Sequence, residues 1–158
     1  MDLALQLIGC FVAAALFALL FRTPMRLIIP ASLSAVAGYA LSLWAGARIN
    51  AEWAGIFFGS LLSALIGEWL ARKLRAPATI FLTVSVIPMV PGAGLYNTML
   101  ALVQNRYADA AAAGSNTMLS AGAIALGLSI AASAAYAIRR GKGAGLPASK
   151  DFSPKPRG

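Results

Sequence analysis

Residues 78–104 read ATIFLTVSVIPMVPGAGLYNTMLALVQ, an apolar run of bilayer length interrupted by Pro88-Met89-Val90-Pro91-Gly92. No α-helix passes through that pentapeptide intact. Each proline lacks an amide donor and presses its ring on the carbonyl four residues back, which strands the carbonyls of Val84 and Ile87. In hydrocarbon, freed backbone survives only where protein or a wet cavity shields it, and discontinuous helices of this kind form binding sites in transporters. The break therefore directs attention to function as well as to fold.

The rest of the chain explains why a bilayer is the relevant solvent. Of 158 residues, 59% are hydrophobic and only 11% charged, and the mean hydropathy is +0.76. About 20 apolar residues at 1.5 Å each match a hydrocarbon core of roughly 30 Å. Five such runs are present, at about 3–21, 27–47, 53–71, 78–104 and 115–138, joined by short loops. The expected fold is all-α: an integral membrane bundle of five transmembrane helices, the fourth broken at Pro88–Gly92. Residues 139–158, rich in glycine, proline and basic side chains, are expected to form a basic disordered cytoplasmic tail beside anionic headgroups.

The net charge of +8 raises the question of nucleic acid, but a nucleic-acid binder carries its charge on a water-facing patch beside base-reading groups. Here the charge is sorted along the chain. Arg22 and Arg26, then Arg72, Lys73 and Arg75, then Arg139, Arg140, Lys142, Lys150, Lys155 and Arg157 make eleven of the thirteen basic residues, and all fall on one side of a five-span topology. Arg48 and Arg106 fall on the other, each near an acid, Glu52 or Asp109. The positive-inside rule then gives an N-out, C-in chain with no nucleic-acid partner. It also makes residues 78–104 a crossing, since a re-entrant dip would put the basic tail outside. Halves of 10 and 12 residues amount to roughly 33 Å of helix and set the break near the midplane. The first run has no basic n-region and is too long for a cleaved signal, so it reads as a permanent helix.

Small residues recur at every fourth position: Ser34, Gly38, Ser42 and Gly46; Gly55, Gly59, Ser63 and Gly67; Ala123, Gly127, Ala131 and Ala135. That spacing lays them on single helix faces, the usual device for close helix packing in lipid. Catalytic chemistry is sparse. There is no histidine and one cysteine, Cys10, on an apolar run, and four of the five acids lie in termini or loops. Neither a metal site nor a nucleophile, base and orienting acid can be assembled, so an enzyme, a metal and a cofactor are not expected.

Two constellations remain. Glu68 is the one acid inside a run, and Arg72 stands four residues on; the two form either a helical ion pair or a coupling and gating element. The break itself offers the amides of Ala93, Gly94 and Leu95 at the positive end of the second half-helix, suited to a carboxylate, and loose carbonyls near Ile87, suited to an ammonium. Pro88, Pro91, Gly92, Ala93, Gly94, Tyr96, Asn97, Thr83 and Ser85 are the candidate substrate-binding residues. The other reading of the same residues is a packing kink rescued by Ser and Thr hydroxyls.

Glu68-Trp-Leu-Ala-Arg72-Lys-Leu-Arg75-Ala-Pro77-Ala followed by Ile87-Pro88-Met-Val-Pro91-Gly92-Ala-Gly-Leu-Tyr96 closely resembles the threonine/serine exporter family, in its small YjjB-like membrane subunit, over about Ile8 to Ile138. Met89 stands where the family usually has leucine, and Ala93 where a second glycine is frequent; neither removes the break. The resemblance implies a secondary transporter of the bacterial cell (inner) membrane that exports small amino acids, or in some members dicarboxylates such as succinate. It implies as partner a homologous five-helix membrane subunit with a cytoplasmic domain, and leaves room for a higher oligomer. Two five-helix halves in one fold would be inverted repeats, and a second half that is N-out and C-in agrees with the orientation given by the charges. A passive channel and a non-transporting assembly subunit are the remaining functional classes.

Overall fold

The computed structural model describes residues 3–143, with side chains to residue 138. The chain forms α1 (Leu3–Leu20), α2 (Met25–Ile49), α3 (Glu52–Leu74), α4 (Ala78–Val86), a short 3-10 turn (Ile87–Met89), α5 (Gly92–Val103) and α6 (Tyr107–Gly143). It is all-α, with no strand among the described residues. α1, α2, α3 and α6 are each long and apolar enough to cross a membrane, and α4 and α5 add a fifth candidate if their bent pair, turned by 46°, is taken as one span.

The turns share one device. Arg22, Asn50, Arg75 and Asn105, each just past a helix, adopt positive φ between 50° and 58°, the left-handed cap that ends helices. Behind Arg22 and Arg75 come Pro24 and Pro77, which start α2 and α4 from an extended conformation. Asn50 and Asn105 suit the left-handed region because Asn is among the few non-glycine residues that enter it readily.

α2 and α3 are antiparallel, and their small-residue faces meet. A Cβ on Gly59 would lie 2.6 Å from the Gly38 carbonyl oxygen, and one on Gly55 would meet the Ser42 carbonyl oxygen and lie 2.7 Å from the Gly46 nitrogen. Ser63 Oγ donates to the Ser34 carbonyl across the same seam at 3.0 Å. α6 lies on another face of α3: Gly127 fits against Ser60 and the backbone at Phe57 and Leu61, and Arg72 reaches the Ala135 carbonyl at 3.3 Å. Ser60 is thus level with Gly127 and Arg72 with Ala135, so α3 and α6 run parallel. α4 and α5 must carry the chain back between them. The three basic clusters, at the α1–α2 turn, the α3–α4 turn and the C-terminal end of α6, lie at one end of the bundle.

Two boundaries differ from expectation. α6 begins at Tyr107, not near 115, because Arg106 and Asp109 pair at 3.1 Å over its first turn and Ala110–Ala113 are strong helix formers. At its other end the helix continues to Gly143, through residues expected to be disordered, since nothing in Arg139 and Arg140 opposes a helix. The remainder of the expected tail, 144–158, lies outside the described residues.

Candidate functional site

The break is as sharp as its sequence demands, but its backbone is better satisfied than expected. The Ile87 carbonyl, deprived of an amide by Pro91, accepts instead from Val90 at 3.2 Å, closing the 3-10 turn. Beyond Pro91 the Gly92 amide turns back to the Val90 carbonyl at 2.7 Å, and the Leu95 amide finds the Pro91 carbonyl at 3.1 Å. Leu95 therefore drops out of the expected set of open donors. Among the described residues, the amides of Ala93 and Gly94 have no backbone acceptor.

Met89 anchors the break. It is 4% exposed and packs with Ile56, Ala123 and Ile124, with its methyl carbon close to Gly38. Because Ile56 is only one turn into α3, the break lies toward the α2–α3 turn and not at the middle of the bundle. The cause is the α3–α4 connection: the extended step at Pro77 lifts the start of α4, so that Phe81 already meets Gly67.

Beside the break is a cavity of about 740 Å³. Pro88–Gly94 and Asn97 form one wall. Tyr39, Ser42, Leu43, Gly46 and Ala47 of α2 form another, Asn50, Ala51, Glu52 and Ile56 close the α2–α3 end, and α6 contributes Ala113, Asn116, Thr117 and Ser120. Of the residues expected from sequence, Pro88, Pro91, Gly92, Ala93, Gly94 and Asn97 line it. Thr83, Ser85 and Tyr96 do not. Thr83 Oγ1 is exposed and spent on the Thr79 carbonyl at 2.8 Å. Ser85 is buried on the opposite side of α4, bonded to the Phe81 carbonyl at 2.6 Å and to Ser34 Oγ at 2.7 Å. The Tyr96 ring is 66% exposed, on the far side of α5.

Glu68 and Arg72 are also away from the cavity, at the basic end. They pair at 3.7 Å, and the arginine ties α3 to α6 through the Ala135 carbonyl. The polar wall that sequence reading missed is Asn50, Glu52, Asn116 and Ser120. Its one visible signal is the polar triplet Ser115-Asn116-Thr117 inside an otherwise apolar and alanine-rich helix.

A discontinuous helix beside a part-polar cavity, within a bundle of membrane-length helices, is an arrangement that secondary transporters use to bind substrates. A family model described as Threonine/Serine exporter, ThrE, matches residues 6–134. The chain belongs to this family. Its role is accordingly membrane transport of the threonine/serine exporter type, a transporter and not an enzyme class. The match spans α1 to most of α6, so the broken segment and every residue that lines the cavity fall inside it. No solved structure matches the chain.

Proposed function

We propose that the chain is one subunit of a secondary transporter that exports small amino acids of the threonine/serine type across the bacterial inner membrane. It works with a homologous, larger five-helix subunit that carries a cytoplasmic domain. The observation that carries this reading is the cavity at the Pro88–Gly92 break, where polar side chains and the open amides of Ala93 and Gly94 line a space inside an apolar bundle. Those amides, at the positive end of α5, suit the substrate carboxylate.

The parallel course of α3 and α6 favours a crossing by α4 and α5. The gathering of basic clusters at one end favours an N-out, C-in orientation, as in one half of an inverted-repeat pair. The cavity then faces the outer side, and the Glu68–Arg72 pair sits at the inner end as a gating element.

The test is efflux of threonine, serine and succinate from cells deleted for this chain. Amino-acid efflux should fall and return only when the chain is restored alongside its homologous subunit; flux from the chain alone in liposomes at the rate of the pair would overturn the two-subunit reading. In the same assay Glu68→Gln should alter the pH dependence of export, and an unchanged profile removes the pair from the mechanism.

A further inference from the structure

The cavity has a charge of its own, opposite in sign to that of the chain. The protein carries a net charge of +8, yet among the described residues the one carboxylate or basic side chain lining the cavity is Glu52. It opens α3, where a carboxylate suits the positive end of the helix, and its side chain has no basic partner among the described residues. Arg48, the nearest basic residue in sequence, turns away and places its guanidinium 5.4 Å from the centre of the Trp44 ring. Among the described residues the salt bridges are Arg72–Glu68 and Arg106–Asp109, so Glu52 pairs with neither side of the α2–α3 turn. Around it the lining is amide-rich: three of the chain's four asparagines, Asn50, Asn97 and Asn116, face this space.

We propose that Glu52 is the specificity-determining residue of the cavity, receiving the ammonium group of a zwitterionic substrate and disfavouring dianions. The inference rests on the transport reading above and deepens it. The role was expected of loose carbonyls near Ile87, of which the Ile87 oxygen already accepts the Val90 amide, and among the described residues no other anionic group lines the space. Glu52 is exposed at the α2–α3 end of the cavity, where its carboxylate is open to an incoming ammonium and can form charge-assisted hydrogen bonds with it, about twice as strong as neutral ones. The same carboxylate repels a second carboxylate, so a dicarboxylate meets like charge where an amino acid meets its counter-ion. The asparagine side chains, with both donor and acceptor atoms, serve the uncharged and carboxylate parts of the ligand.

The test is a two-by-two comparison of binding, using the complex purified from native membranes through a tag on this chain. The ligands are L-threonine and 3-hydroxybutyrate, which is threonine without its amino group; the proteins are wild type and Glu52→Gln, an isosteric change. Wild type should prefer threonine about ten-fold or more, the worth of one hydrogen bond to a charged partner. Glu52→Gln should lose that preference by weakening threonine alone, and should bind succinate better than wild type does. A preference unchanged in Glu52→Gln overturns the assignment while leaving the transport reading standing. Binding of neither threonine nor serine by wild type overturns both. If Glu52→Gln does not accumulate, Glu52→Asp decides: the shorter acid should weaken the preference, and full retention of it rejects the role.

Discussion

α4 and α5 are the two halves of one apolar segment, and they meet opposite surroundings. α4 is wrapped by α1, α2 and α3, and its Phe81, Val84 and Ser85 are buried. α5 packs mainly on the N-terminal third of α6, buries only Ala101, and leaves Leu95, Tyr96, Met99 and Val103 more than half exposed. Both are apolar, so hydropathy does not explain the difference. The 46° turn at the break does. Before it, the chain fills the basic end of the bundle with a core of Phe81, Leu27, Val84 and the alanines of α1 and α2; after it, α5 turns away from α2 and α3 onto α6, and the cavity lies between α2, α5 and α6. A proline break inside a membrane protein can thus make a site by removing a helix from where it would otherwise pack. Of the freed backbone, the Ile87 carbonyl and the Leu95 amide find partners within the turn, which leaves the amides of Ala93 and Gly94 open to the cavity.

The largest expected effect comes from treating the two halves alike. Phe81→Ala empties a fully buried site at the closed end and should cost about 3–5 kcal/mol, whereas Tyr96→Ala on α5 should leave the thermal midpoint of the isolated subunit in detergent nearly unchanged. Equal losses would show that α5 is packed inside the bundle as α4 is. Next come the glycines. Gly59→Ala drives a Cβ to 2.6 Å from the Gly38 carbonyl oxygen, an overpacking worth about 1–3 kcal/mol, and should lower the amount of protein in the membrane. Gly92→Ala meets nothing within 4 Å and has no left-handed φ to strain, so the fold should persist. If Gly92→Ala nevertheless lowers transport while abundance holds, the substrate uses that open space; if abundance falls too, the break is part of the packing and the comparison fails.

How much of this was legible beforehand follows from the range of each signal. The apolar runs, the broken fourth segment and the small-residue faces are local patterns, and the seam of Gly38, Gly55 and Gly59 lies where fourth-residue spacing puts it. The cavity wall is a matter of tertiary level. Asn50 and Glu52 read as loop residues, and Asn116 lies in α6, beyond both α3 and the broken segment; only the packing of α6 beside α3 and the turn at the break bring them to one space. Thr83 and Ser85 were misplaced for a different reason. Hydroxyls in a helix interior turn readily to the carbonyl four residues back, as both do here, so closeness in sequence to Pro88 did not bring them to the site.

The smallest effect distinguishes the two ends most finely. Ser34 Oγ is fully buried at the closed end, where it contacts Ser85 Oγ at 2.7 Å and the Ala31 carbonyl at 2.7 Å. Since Ser85 also has the Phe81 carbonyl, Ser34→Ala leaves no buried hydroxyl without an acceptor. Interhelical hydrogen bonds in membrane proteins average about 0.6 kcal/mol, and a shift of that order in unfolding free energy is expected. A loss several times larger would mean that the closed end is held by this polar contact between α2 and α4 more than by the apolar layer around Phe81. The difference between the two halves of the segment would then arise from one serine pair and not from the turn at the break.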